Sequence, residues 1–143
     1  MRFPSKEWAA ALVAALHRQK DLGRALAGLS ADLAVVVEAD PPALRQGVAV
    51  WGRHQAGRIA EWRLLEDEDE ILELEPAYVV RAPYRIWKGL LAGQDPVQAA
   101  LSGRLQVKGD LETLVRRAPF RYVVEAALRE VPTEFADEAG GRR

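Results

Sequence analysis

At 143 residues, with 49% hydrophobic and 29% charged residues, the chain is long enough for one compact domain with a sizeable core. A formal net charge of −1 gives no electrostatic basis for nucleic-acid binding, and no run of about 18 apolar residues is present to span a membrane. The absence of cysteine excludes a disulfide framework, a thiolate nucleophile and thiolate-bound zinc, and fits a reducing, cytoplasmic setting.

In chain order, Ser5 is placed to cap a first helix, and Trp8, Leu12 and Leu16 form one apolar stripe that carries it to about Lys20. Lys6 and Glu7 beside Trp8, with no export cleavage site beyond, mark this stretch as a helix rather than a signal. Leu22, Ala25, Leu26 and Leu29 repeat the helical spacing in a short second helix or its continuation. The period then changes. Asp32–Glu38, DLAVVVE, is β-branched and almost entirely apolar, which predicts a central strand buried on both faces. Pro41 and Pro42 end it, and Gly47–Trp51 predicts a second strand with Val48 and Val50 on one face. Gly52 and Gly57 frame a turn, a third strand runs from Arg58 to Leu65, and a fourth lies at Tyr78–Ala82, giving a mostly antiparallel meander.

After Pro83 the pattern is helical again. Tyr84, Trp87 and Leu91 share a stripe with Ile86 and Leu90 beside it, and Gly93 stops the helix. Asp95 and Pro96 stand in N-cap and N1 order for a helix whose apolar side is Val97, Ala100 and Leu101. Gly103–Asp110, GRLQVKGD, reads as a half-buried strand, with Leu105 and Val107 on one side and Arg104, Gln106 and Lys108 on the other. Asp110 is an N-cap for a short helix with Leu111, Leu114 and Val115. Pro119 opens a longer helix carrying Phe120, Val123, Val124, Ala127, Leu128 and Val131, with Arg121, Glu125 and Arg129 as its solvated ladder. The domain is expected to span residues 1–132, with a frayed tail over 133–143 ending in GGRR.

Catalytic signatures are sparse. His17, at a helix end, and His54, in a turn, have no ligand spacing and read as surface residues. No HExxH, P-loop or GxSxG pattern occurs. The acidic run Glu66–Glu70 lacks the alternating ligands and turn glycine of a calcium loop and reads as a solvated connection that guards a strand edge. Glu61, Glu73 and Glu75 supply carboxylates near strand ends, but nothing pairs them with a second catalytic group. No enzyme, metal or cofactor is expected. Arg104, Lys108, Arg116, Arg117 and Arg121 gather near the last strand and helices, either as a solvated basic face or as a rim for a carboxylate, a CoA phosphate or an anionic membrane surface.

The run YVVRAPYRIWKGLLAGQDPVQAALSGRLQVKGDLETL, Tyr78 to Leu114, resembles the sterol carrier protein-2 family of lipid-binding domains. The positions that carry the resemblance are Gly93, Pro96, Ala99 or Ala100, Gly103, Leu105, Val107, Gly109 and Asp110, and the rest of the chain follows in order but more weakly. Asp110 stands where the family often has asparagine, an equivalent N-cap. The resemblance implies an α+β fold: a five-stranded, mainly antiparallel sheet covered by helices, with an apolar tunnel between them. It also implies a non-catalytic binder or carrier of a sterol, fatty acid, fatty acyl-CoA or phospholipid; the sequence leaves open whether the chain is a monomer or homodimer, and transient contact with a membrane surface is expected. The expected lipid-binding residues are Trp87, Leu90, Leu91, Leu101, Leu105, Val107, Leu111, Leu114, Phe120, Val123, Val124 and Ala127. Core-facing and tunnel-facing positions obey the same period, so a closed core acting through a dimer or protein partner is the alternative.

Overall fold

The structure is a computed structural model that describes residues 1–27, 32–109, 118–135 and 137. Its elements are β1 (Arg2–Phe3), α1 (Lys6–His17), α2 (Leu22–Leu26), β2 (Asp32–Glu38), β3 (Val48–Gln55) and β4 (Arg58–Leu65), then α3 (Glu70–Leu74), β5 (Tyr78–Pro83) and α4 (Tyr84–Leu91). They continue with α5 (Pro96–Leu101), β6 (Gln106–Lys108), α6 (Ala118–Arg129) and β7 (Glu134–Phe135). Two of the three sequence-read caps, Ser5 and Asp95, are formed, and the third, Asp110, lies outside the described residues. Ser5 Oγ accepts the Trp8 N–H at 3.1 Å, and Asp95 Oδ1 accepts the Val97 N–H at 2.9 Å, each satisfying a helix-end amide that has no intrahelical partner.

The main sheet has five strands in the order β4-β3-β2-β5-β6, with the apolar β2 at its centre as its composition predicts. The meander expected from the sequence holds only for β2, β3 and β4. β5 does not continue beside β4; it crosses to the far side of β2 and pairs with it in parallel, so the sheet is mixed. An all-apolar β2 needs a neighbour on each edge, and β5 supplies the second. The crossing carries α3, a five-residue helix that begins at Glu70, the last residue of the acidic run that the sequence reads as a solvated connection.

Two glycines permit close approaches. At Gly57, φ +78, a Cβ would lie 2.9 Å from the Gly23 Cα, so only glycine lets α2 pack on the β3–β4 turn. At Gly109, φ +98, a Cβ would come within 2.5 Å of the Ala77 carbonyl oxygen, so any side chain there would push β6 away from β5.

The sheet has two unlike faces. On the outer face Ala34, Val36, Ala49, Trp51, Leu65 and Val79 form a buried cluster with Ile71 and Leu74 of α3. Two ion pairs hold that segment down, Arg63 to Glu70 at 3.2 Å and Arg81 to Glu68. The inner face meets the other helices, and Val37 packs there with Phe3, Trp8, Ala15, Tyr84, Ala127 and Val131.

The segment expected to fray from Thr133 is tied down through Asp137. β7 pairs in parallel with β1, the Trp8 indole donates to Thr133 Oγ1 at 2.9 Å, and the Phe135 ring meets Phe3 edge-on at 6.4 Å. Phe135 supplies apolar area that a charged tail would lack, and this anchors the strap. Asp137 accepts the Tyr84 hydroxyl at 2.7 Å and the Lys88 ammonium at 3.1 Å.

Candidate lipid-binding face

The register builds the inner face row by row. Val50 is paired with both Leu64 and Val35, Val35 with Val80, and Val80 with Val107, so Leu64, Val50, Val35, Val80 and Val107 form one apolar line across all five strands. A flanking row runs Trp62, Gly52, Leu33 and Tyr78, and the other runs Val48, Val37 and Ala82. Val80, Val37, Tyr78 and Ala82 are buried, whereas Val35, Val50, Leu64, Trp62 and Leu33 are only half-buried. In a filled interior the inner side of a central strand is closed off completely. Here α1 and α2 meet β4, and α4 meets β2 and β5, while Val35, Val50 and Leu64 in the middle of the row are half-buried. Gly52 faces Trp62 without a side chain of its own.

The residues named from the sequence divide among three places. Trp87, Leu91 and Ala127 belong with the Phe3–Trp8–Tyr84 cluster, where Ala127 is fully buried. Leu90, Leu105 and Val107 pack with Tyr78, Val80, Ala82 and Ala99 near the β6 edge, and Trp87 bridges the two groups. Val123 is buried against Leu22 and Ala25, and Val124 is half-buried one residue on. Leu101 is not brought to the inner face: it is 68% exposed, because α5 is a short helix that buries Ala99 instead. Leu111, Leu114 and the side chain of Phe120 lie outside the described residues. The sheet residues Val35, Val50, Trp62 and Leu64 were missed. Their alternation was visible, but which face the helices cover is a tertiary property that strand periodicity does not carry.

Polar groups around this face have structural roles. The Trp87 indole donates to the Val36 carbonyl oxygen at 3.0 Å, pinning α4 across the central strand. Asp32 accepts the Trp51 indole at 3.0 Å and the Ala77 N–H at 2.9 Å, which ties β3 and the entry to β5 onto β2. His17 and His54 are half-buried rather than on the surface, and His54 lies within β3 rather than in a turn. His17 Nε2 accepts the Ile59 N–H at 3.1 Å, so the imidazole is neutral there; burial, and then nearby Arg58, hold its pKa below the ordinary value. Burial, and then the hydrogen bond to Asp137, push the Tyr84 hydroxyl up to about 12. The same hydrogen bond, and then Lys88, hold the Asp137 carboxyl below the usual carboxylate range.

The expected cationic rim is not gathered among the described residues. Arg104 Nε donates to Ser102 Oγ at 2.9 Å, Lys108 is paired with Val79 on the outer face, and Arg121 stands 4.0 Å from Glu125. Arg116 and Arg117 lie outside the described residues. A cleft of about 420 Å³ does open between the end of α1 and α6, lined by Arg18, Gln19, Lys20, Asp21, Tyr122, Val123 and Ala126. Arg18 and Gln19 are occupied by Glu130, at 2.8 and 2.6 Å, and hold its carboxyl below the usual range. Among the described residues no three His, Cys, Asp or Glu side chains group to hold a metal ion, and no helix is long and apolar enough to cross a membrane.

A mixed sheet whose apolar inner face is covered by helices, with its central row only half-buried, is an arrangement in which apolar molecules can be bound. The SCP-2 sterol transfer family matches residues 12–118, and the chain belongs to that family. A crystal structure of sterol carrier protein 2 is similar over 94% of this chain and 96% of its own, at 25% identity and a TM-score of 0.64. The solution structure of a conserved hypothetical protein from Thermus thermophilus is 26% identical, with a TM-score of 0.65, covering 94% of this chain and 87% of that one. Sterol carrier protein 2 from Yarrowia lipolytica, in its apo form, shares the fold at 10% identity and a TM-score of 0.51, over 85% of this chain and 87% of that one. No curated protein matches the chain. Family and fold together support lipid binding or transfer in general.

Proposed function

We propose that this protein binds the apolar tail of a fatty acid or fatty acyl-CoA between the inner sheet face and the helices, without catalysis, and carries it through the cytoplasm. The observation that carries this reading is the half-buried state of Val35, Val50 and Leu64 in the middle of a helix-covered sheet. About 12 methylenes of tail at roughly 0.8 kcal/mol each give about 10 kcal/mol, against an association cost of roughly 4–15 kcal/mol. Binding driven by the tail alone is therefore loose and tolerant of chain type, as suits a carrier that must release its load at a membrane surface. Phospholipids and sterols offer comparable apolar area and are the competing ligands.

One observation favours a second reading. The end of the inner face near Tyr84 and Ala127 is filled, both residues being wholly buried among Phe3, Trp8 and Val131. A domain closed throughout would act through a protein partner. Native mass spectrometry of freshly purified protein, with released small molecules identified after denaturation, separates the two. A reproducible adduct yielding a fatty acid or acyl-CoA is the expected result. A bare mass that stays unchanged after incubation with a mixed lipid panel would leave the closed-core reading.

A further inference from the structure

The β4 strand gives Leu64 and Trp62 to the inner face, while its free edge and its outward-facing charges have no part in lipid binding as proposed. β4 is the outermost strand and eight residues long. Only its start is covered, where His17 accepts the Ile59 N–H and Gly23 approaches the turn at Gly57. Beyond that point Ala60, Glu61 and Arg63 are exposed, and among the described residues no strand pairs with the outer side of β4. Strand edges that must stay unpaired carry charges that repel a second copy. β4 carries Glu61 and Arg63, opposite in sign, two residues apart and on the same face.

We propose that two copies of this chain associate by antiparallel pairing of their β4 edges about a two-fold axis at Trp62. In that register Glu61 of each copy lies directly opposite Arg63 of the other, and Trp62 lies opposite itself. Moving the axis by one residue to either side places Glu61 opposite Glu61, or Arg63 opposite Arg63, and directly opposed like charges destabilise a strand pair. The sequence is therefore self-complementary in one register and self-repelling in its two neighbours, so these charges select a pairing rather than prevent one. On the outer face each charge already has a partner in its own chain, Glu61 with Arg53 at 3.5 Å and Arg63 with Glu70 at 3.2 Å, and the second copy's Arg63 would extend the first pair into a row of alternating charges. On the inner face the two Trp62 rings would meet, adding an aromatic cross-strand pair. The register shift in β4, where Arg53 pairs with Glu61 and His54 with Ile59, leaves Ala60 as an extra residue and confines regular pairing about the axis to Glu61, Trp62 and Arg63. So short an interface makes a reversible dimer.

Sedimentation velocity from about 5 to 500 µM protein tests this, with circular dichroism to confirm folding. The wild type is expected to dimerise with concentration. Glu61→Arg and Arg63→Glu should each weaken the dimer about ten-fold, since each turns two attractions into two repulsions, and the double variant should recover to within about two-fold of wild type. A monomer throughout the range overturns the proposal, as does a dimer unmoved by the single reversals or not rescued by the double one. If either single variant fails to fold, Trp62→Cys in this otherwise cysteine-free chain decides. A disulfide-linked dimer on mild oxidation supports the register, and its absence overturns it.

Discussion

Replacing Val50 by phenylalanine should weaken lipid binding by about 15-fold and leave the fold almost as stable as before. Val50 sits between Val35 and Leu64 in the central inner row, half-buried beneath the helices. Phenylalanine exceeds valine by the volume of roughly two methylenes, so the bound tail loses about two methylenes of burial, ~1.6 kcal/mol, which is about 15-fold in the dissociation constant. Space over Val50 absorbs the larger ring, and the stability change should stay within about 0.5 kcal/mol. Ala127→Phe is the contrast. Ala127 is fully buried against Phe3, Trp8 and Tyr84, so the same enlargement there overpacks the core and costs about 1–3 kcal/mol. Displacement of a fluorescent fatty acid measures the first effect, and urea denaturation the second. Unchanged affinity in Val50→Phe, together with a loss of stability like that of Ala127→Phe, would show the central row to be solid and refute the reasoning.

Tyr84→Phe should destabilise by about 1–2 kcal/mol, because the charge-assisted bond to Asp137 is lost while Lys88 still partners the carboxylate. The depressed pKa of Asp137 contributes stability that is present above its ordinary value of about 3.9 and lost as pH falls through the folded value. The acid limb of the wild-type stability profile should therefore be steeper than that of Tyr84→Phe, and denaturant titrations below pH 5 would compare them. His17 acts with the same slope, because the fold disfavours its charged form where it favours that of Asp137. Its folded pKa is lowered, so protons favour the unfolded chain, and stability that is complete above about pH 6.5 declines as pH drops. His17→Gln keeps an acceptor for the Ile59 N–H but does not titrate, so thermal melts between pH 7.5 and 5 should show a flatter profile; parallel profiles would exclude this role.

Most helices and strands were legible because each is announced locally. Ser5 and Asp95 are caps with reachable amides, and β2 holds an apolar run ending in three consecutive valines. What escaped depends on contacts distant in sequence. The parallel union of β5 with β2 is decided by which edge of β2 lacks a partner, and β1 and β7, two residues each, are too short for any period. α3 was hidden because Ile71 and Leu74 sit in a run of carboxylates, and only the outer sheet face makes sense of them. The site followed the same division. Apolar helix positions were easy to name, but Leu101 is on the surface while Val35 and Val50, in the central inner row, are half-buried. Periodicity identifies an apolar face, and only packing decides whether that face is full.

The four tryptophans fall in four unlike surroundings, which makes the molecule its own optical probe. Trp8 is enclosed in the terminal cluster, Trp51 lies on the outer face with Arg63 5.8 Å above its ring, and Trp87 is fixed to the central strand. Trp62 alone belongs both to the inner row beside Gly52 and to the free edge. A variant retaining only Trp62 would therefore report, through quenching by a brominated acyl chain and through its response to protein concentration, on cargo and on self-association in one emission spectrum.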